Sequence, residues 1–206
     1  MSNAQSEIQP ILGDGDIYAG IDYSMNGPAI CIWDSSLPLT HENLRYYNYG
    51  KTKSKCGEFN NVVILAQEKF DSDEPRFREI ALWARAVLQS NKVTKASLEG
   101  YAMGGKSNRV FQIGECTGQL KQELYNLNID YEIIPPTQVK MQFQGKGNAK
   151  KEQMIDCFNE LWGIKLHQQL LLNKEYEKPV DDLVDSFANL ICHPDLSEIR
   201  LQLMGK

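Results

Sequence analysis

Ile17-Tyr18-Ala19-Gly20-Ile21-Asp22 and, after Ser24-Met25-Asn26-Gly27-Pro28, the run Ala29-Ile30-Cys31-Ile32-Trp33 decide how this chain is read. Two apolar runs of strand length flank a turn. Asn26-Gly27 signals a chain reversal, and Pro28 makes the connection longer than a two-residue hairpin. The first run stops on an aspartate, a residue that strands disfavour. Working outward, 43–49 alternates enough to form a third strand, which makes an antiparallel meander. Residues 95–98 and 131–134 read as two more strands, the last stopped by Pro135-Pro136. The spacing of Phe77, Ile80, Ala81, Ala84, Val87 and Leu88 predicts a helix from Arg76 onward. Helices are also expected over 109–127, 137–143, 149–162 and from Pro179 to Cys192. The stretch 51–73 reads as an inserted surface excursion, in which 62–65 is either a short strand or a helical turn. The sum is a mixed α/β domain, five strands with helices on the sheet faces.

A chain of 206 residues fits one domain. Its expected bounds are 17–193, with tails at 1–16 and 194–206. No apolar run is long enough to span a membrane and no secretory leader opens the chain, so no membrane partner is expected. Five scattered cysteines, an odd count without a C-x-x-C pair, argue against a disulfide framework and for a reducing, cytoplasmic compartment. The three histidines make a structural zinc site or a Ser-His-Asp triad hard to assemble. A net charge of −5 counts against nucleic-acid binding, yet its distribution does not. Residues 133–151 hold Lys140, Lys146, Lys150 and Lys151 and no acid. Lys51, Lys53 and Lys55 form a second basic group, and Lys106 with Arg109 a third; any one of them taken alone reads first as an ordinary solvated face.

Asp22 and Glu99 both sit where an apolar strand ends and read as functional carboxylates; Asp22 is alternatively a turn-starting acid that caps its own backbone, and Glu99 a strand-end carboxylate in water. At ~100° per residue, Leu183, Val184, Phe187, Leu190 and Ile191 share one arc of the last helix, and Asp182, Asp185, Ser186 and Asn189 the other. Asp182 and Asp185 therefore project side by side. The helix dipole accounts for Asp181 and Asp182 in a first turn opened by Pro179, but not for Asp185, a turn further in. Two strand-end acids plus a D-x-x-D helix suit divalent-metal phosphodiester chemistry, in which hard cations take oxygen ligands.

These residues resemble the RuvC family of Holliday-junction resolvases. The likeness runs through Gly20-Ile21-Asp22, Leu98-Glu99, Ile113-Gly114, Thr117-Gly118, Gln138-Val139-Lys140, Gly145-Lys146-Gly147-Asn148-Ala149-Lys150-Lys151 and Asp182-Leu183-Val184-Asp185-Ser186-Phe187-Ala188. It implies an RNase H-like mixed sheet. Asp22, Glu99, Asp182 and Asp185 match the family's metal-binding carboxylates, Lys151 a catalytic lysine near the scissile phosphate, and Lys140 a basic residue on the DNA side. Lys106, Arg109, Lys146 and Lys150 are further candidates for DNA contact. The implied activity is symmetric nicking of four-way DNA junctions by a homodimer, with two Mg²⁺ (Mn²⁺ substituting), leaving 5′-phosphate and 3′-hydroxyl ends.

Two departures stand out. The family's aromatic wedge would fall at Ala102, one place after Tyr101, so Tyr101 is either a stacking residue or a loop aromatic packed on the domain. The stretch 51–73 is longer than the family pattern. Helix 109–127 corresponds to the family's dimer helix; Gly114 and Gly118 alternatively let it sit close on its own sheet. Rival readings are a broader branched- or flap-DNA nuclease, an actin-like phosphotransferase, and a non-catalytic DNA-binding scaffold. The turn after Asp22 lacks the glycine of a phosphate-cradling loop, and the presence of all four acids argues against the scaffold.

Overall fold

In the computed structural model, which describes residues 15–51, 53–101 and 109–205, the first apolar run becomes the middle of the sheet. Strand β1 (Ile17–Asp22) pairs antiparallel with β2 (Ala29–Asp34), and β2 antiparallel with β3 (Leu44–Gly50). Beyond β3 the chain adds β4 (Gly57–Phe59) and β5 (Val62–Ala66), with β5 parallel to β3. Helix α1 (Asp73–Ser90) leads to β6 (Lys95–Glu99), which lies parallel to β1 on its other side. Helix α2 (Arg109–Asn126) leads to β7 (Asp130–Ile134), parallel to β6. Helices α3 (Pro136–Gln144), α4 (Lys151–Trp162), α5 (Leu166–Gln169), α6 (Val180–Ile191) and α7 (Ser197–Leu203) complete the chain.

The sheet has seven strands, in the order β4-β5-β3-β2-β1-β6-β7, rather than five. The two extra strands lie within the stretch taken for a surface excursion. Val62 and Ile64 are buried while Leu65 is exposed, so the short run alternates and extends the sheet at β3. Of the stretch expected as a C-terminal tail, 194–203 forms a 3₁₀ turn and α7, because Leu196 and Ile199 bury themselves in the main core.

Period-two alternation along β1 sends its side chains to two different cores. Tyr18 joins the cluster formed with α3, α4 and α6, whereas Ala19 and Ile21 join the cluster under α1 and α2. Helix α6 is buried on nearly every side: its apolar arc packs on α3 and α4, and its polar arc turns to the sheet. There Ser97 Oγ donates to the Asn189 carbonyl at 2.6 Å, and Asn189 Nδ2 donates to the Ile21 carbonyl at 3.2 Å. This close approach requires glycine at position 20, where a Cβ would overlap the backbone of Ser186 and Leu190. Among the described residues, no helix is long and apolar enough to cross a membrane.

Gly114 and Gly118 behave oppositely, since a Cβ at either would meet nothing within 4 Å. They do not seat α2 on its own sheet. Gly20→Ala should therefore destabilise the protein by about 1–3 kcal/mol through overpacking, whereas Gly118→Ala should gain up to about 1 kcal/mol of helix stability. Urea denaturation at dilute protein concentration measures both, and equal effects would contradict this packing.

Candidate active site

Register brings the strand-end acids together. Ile21 stands opposite Leu98 in the parallel β1–β6 pair, so Asp22 and Glu99 end neighbouring strands at the same level, roughly 5 Å apart across the ladder. Both have the parity of Gly20 and Ser97, the positions that meet α6. They therefore face the helix that carries Asp182 and Asp185.

The electrostatics report the convergence. The pKa of Asp22 is raised well above the usual carboxylate range, first by burial and then by the charges of Asp185, Asp182 and Glu99. Burial likewise raises Asp185, with Glu99, Asp181 and Asp182 adding like charge. Asp182 is pushed up to about 6 by burial and by Asp181, against the pull of Lys178 and Lys151. Glu99 is raised by burial while Lys140 and Lys151 draw it back. Asp22, Glu99 and Asp185 keep some solvent contact, so the acids line a depression rather than a sealed core.

Two residues in the site escaped the sequence reading. Asp181, assigned there to the helix dipole, is buried and pairs with Lys151. Lys178 Nζ lies 2.6 Å from Asp182 Oδ1 and 3.6 Å from Asp181 Oδ2. Helical spacing could not flag it, because Lys178 lies in the turn before α6, and only the fold shows that its ammonium folds back onto Asp182. Burial alone would lower the pKa of Lys151. The bond to Asp181 and the charges of Asp181, Asp182 and Asp185 outweigh it, so its ammonium is held firmly protonated. Among the described residues, no three His, Cys, Asp or Glu side chains close on one point tightly enough to cage an ion as they stand. Lysine ammonium groups hold the ion-pairing positions on Asp181 and Asp182 instead.

The remaining candidates divide. Lys140, on α3, is close enough for its charge to act on Glu99. Lys146 and Lys150 are exposed on the connection that leads into Lys151. Tyr101 is 42% exposed just past Glu99, and the Lys121 ammonium sits 5.3 Å from its ring centre. Lys106 and the Arg109 side chain lie outside the described residues.

No family model matches the chain. Curated relatives do. The crossover junction endodeoxyribonuclease RuvC of Acinetobacter baylyi is 24% identical over 155 residues, 74% of this chain and 79% of the relative. That of Chloroherpeton thalassium is 25% identical over 143 residues, 69% and 71% of the two chains. Among solved structures, Thermus thermophilus RuvC superposes with a TM-score of 0.57 at 17% identity, covering 92% of this chain and 96% of that one. The yeast mitochondrial Holliday junction resolvase follows at 0.51 and 13%, covering 91% and 80%. The fold is that of RuvC.

The raised carboxylates set a pH dependence. A folded pKa above the unfolded one means that ionised Asp22 costs the native state stability at high pH, and that the cost fades as pH falls toward the ordinary carboxylate range. In metal-free buffer Asp22→Asn should be more stable than the parent near pH ~8, with the gap closing toward pH ~4. Urea denaturation at both values checks this; a gap that widens in acid would reverse the sign.

Proposed function

We propose that this RuvC-like chain is a metal-dependent, structure-selective DNA endonuclease that resolves four-way junctions by paired symmetric nicks, leaving 5′-phosphate and 3′-hydroxyl ends. The observation that carries this reading is the mutual electrostatic action of Asp22, Glu99, Asp182 and Asp185 at the ends of two adjacent parallel strands and on the helix above them. The curated relatives are crossover junction endodeoxyribonucleases, and Thermus thermophilus RuvC has been solved with Holliday junction DNA.

The donor set fits divalent cations. Four carboxylates offer only hard oxygen, and burial raises their pKa values, with like charge adding to it at Asp22, Asp182 and Asp185, a conflict that positive charge relieves. Asp22, Glu99, Asp182 and Asp185 would hold Mg²⁺ (two ions, with Mn²⁺ able to substitute), supplying an activated water and charge neutralisation at the attacked phosphate. The chain's own part begins with Lys151. Anchored by Asp181 and kept protonated, it presents a fixed positive charge to the phosphate oxygens as negative charge builds on them. Lys140 adds a second charge beside Glu99. Lys146 and Lys150 are free of the carboxylate cluster and available to backbone phosphates.

Two cuts related by two-fold symmetry call for two such sites, which a C₂ homodimer supplies. The open face of α2 suits it. Phe111 and Tyr125, 77% and 76% exposed, flank Gly118 on one stripe. Exposed aromatics bracketing a bare helix backbone are the features of a contact made by another subunit.

A labelled four-way junction, compared with flaps, forks and linear duplex in Mg²⁺, Mn²⁺ and Ca²⁺, tests the reading. Paired symmetric nicks with Mg²⁺ or Mn²⁺ are expected, with Asp22→Asn lowering the rate by about two orders of magnitude or more while junction binding persists. Cleavage undiminished in that variant overturns the site, and preference for flaps overturns the substrate. Phe111→Glu combined with Tyr125→Glu should give a monomer by light scattering; a persisting dimer would move the interface elsewhere.

A further inference from the structure

The lysines of the 51–66 arm have no part in the chemistry above, yet the arm ends beside it. A cleft of ≈ 330 Å³ opens between this arm and the start of α6, and Lys51, Lys55, Lys178, Gly27, Asn48 and Asp182 contribute to its lining. One end is thus a carboxylate of the proposed active site. The walls are braced. Asn48, buried, donates from Nδ2 to the carbonyls of Gly27 and Pro28 at 3.3 and 3.2 Å, tying β3 to the β1–β2 turn. That turn runs so close to the site that a Cβ on Gly27 would stand 2.7 Å from Asp182 Oδ2. On the other side, Lys55 Nζ is 2.6 Å from both Glu177 Oε1 and the Lys178 carbonyl, which fixes the segment that carries Lys178.

The charges in the cleft are unequal. Lys55 is matched by Glu177, and Lys178 faces Asp182. Lys51 is exposed and pairs with no acid among the described residues. The cleft therefore carries net positive charge immediately beside a strongly anionic centre. A phosphodiester strand needs such a flank, because carboxylates crowded at the cutting point repel the phosphates on either side of it. We infer that this cleft is a subsite for the sugar–phosphate backbone of the strand being cut. It receives a phosphate adjoining the attacked one, with Lys51 and Lys178 as its ligands and Lys55 as their support. The 51–66 arm is then a substrate-holding element rather than surface decoration.

This inference rests on the nuclease reading, and its test separates the two. In an Asp22→Asn background, junction binding is measured by fluorescence anisotropy as salt is raised for the parent, Lys51→Gln, Lys178→Gln and Lys92→Gln, the last at the opposite end of the sheet. Lys51→Gln and Lys178→Gln should each weaken binding about three- to tenfold at low salt and flatten the salt dependence by about one phosphate contact, with Lys92→Gln unchanged. On a junction with a neutral methylphosphonate beside the cut, Lys51→Gln should cost nothing further. Salt dependences equal to the parent's, or an undiminished Lys51→Gln penalty on every methylphosphonate junction, overturn the subsite. A parent that binds DNA but does not prefer junctions overturns the resolvase reading and leaves the subsite to be judged on the DNA that binds. A parent that binds no DNA overturns both.

Discussion

A helix lying almost backbone to backbone on a strand is the constraint from which the rest of this structure follows. Gly20 leaves no side chain between β1 and α6, and Ser186 and Leu190 take that space. The hydrogen bonds from Ser97 and Asn189 then fix the helix along its length. With helix and strands so locked, positions 182 and 185 are carried over the ends of β1 and β6, where Asp22 and Glu99 stand. A larger residue at position 20 would separate the two pairs of acids without touching either.

Such rigidity has an electrostatic cost. Asp22, Asp182 and Asp185 occupy a depression where burial and like charge oppose ionisation, burial alone does so for Glu99, and Asp181 is buried beside them. The chain offsets part of this with its own cations. Lys151 and Lys178 interleave with Asp181 and Asp182, an alternating row of charge that spans the starts of α4 and α6. Surface ion pairs contribute little to stability, but here one partner in each pair is buried, and leaving it unmatched would be expensive. The same row keeps two ammonium groups at the mouth of the site, where a phosphate would arrive.

Much of this was legible in the sequence, for identifiable reasons. Strands β1 and β2 were plain because both are buried on two faces and read as unbroken apolar runs. The D-x-x-D pair on α6 was plain because helical periodicity places residues three apart on one side. The outer strands β4 and β5 were obscure: β4 has three residues, and β5 is an unbroken apolar run of five, which fits a short strand or a helical turn alike. Helix α7 was missed because Ile199 is the one fully buried residue within it, with Leu196 just before and Leu203 only partly buried at its end, too few to make a pattern. Asp181 was misassigned for a different reason. A first-turn acid has a sufficient local explanation in the helix dipole, and only the fold reveals that Lys151, thirty residues away, is its partner.

The central claim is that two strand-end acids and two helix acids share one set of cations. Its most direct test is a double-mutant cycle in Mn²⁺ affinity, followed by electron paramagnetic resonance, for Glu99→Gln and Asp185→Asn. Shared ligation predicts that either substitution alone removes most of the affinity and that the second adds little. Losses that simply add, or an affinity that neither substitution changes, would contradict it.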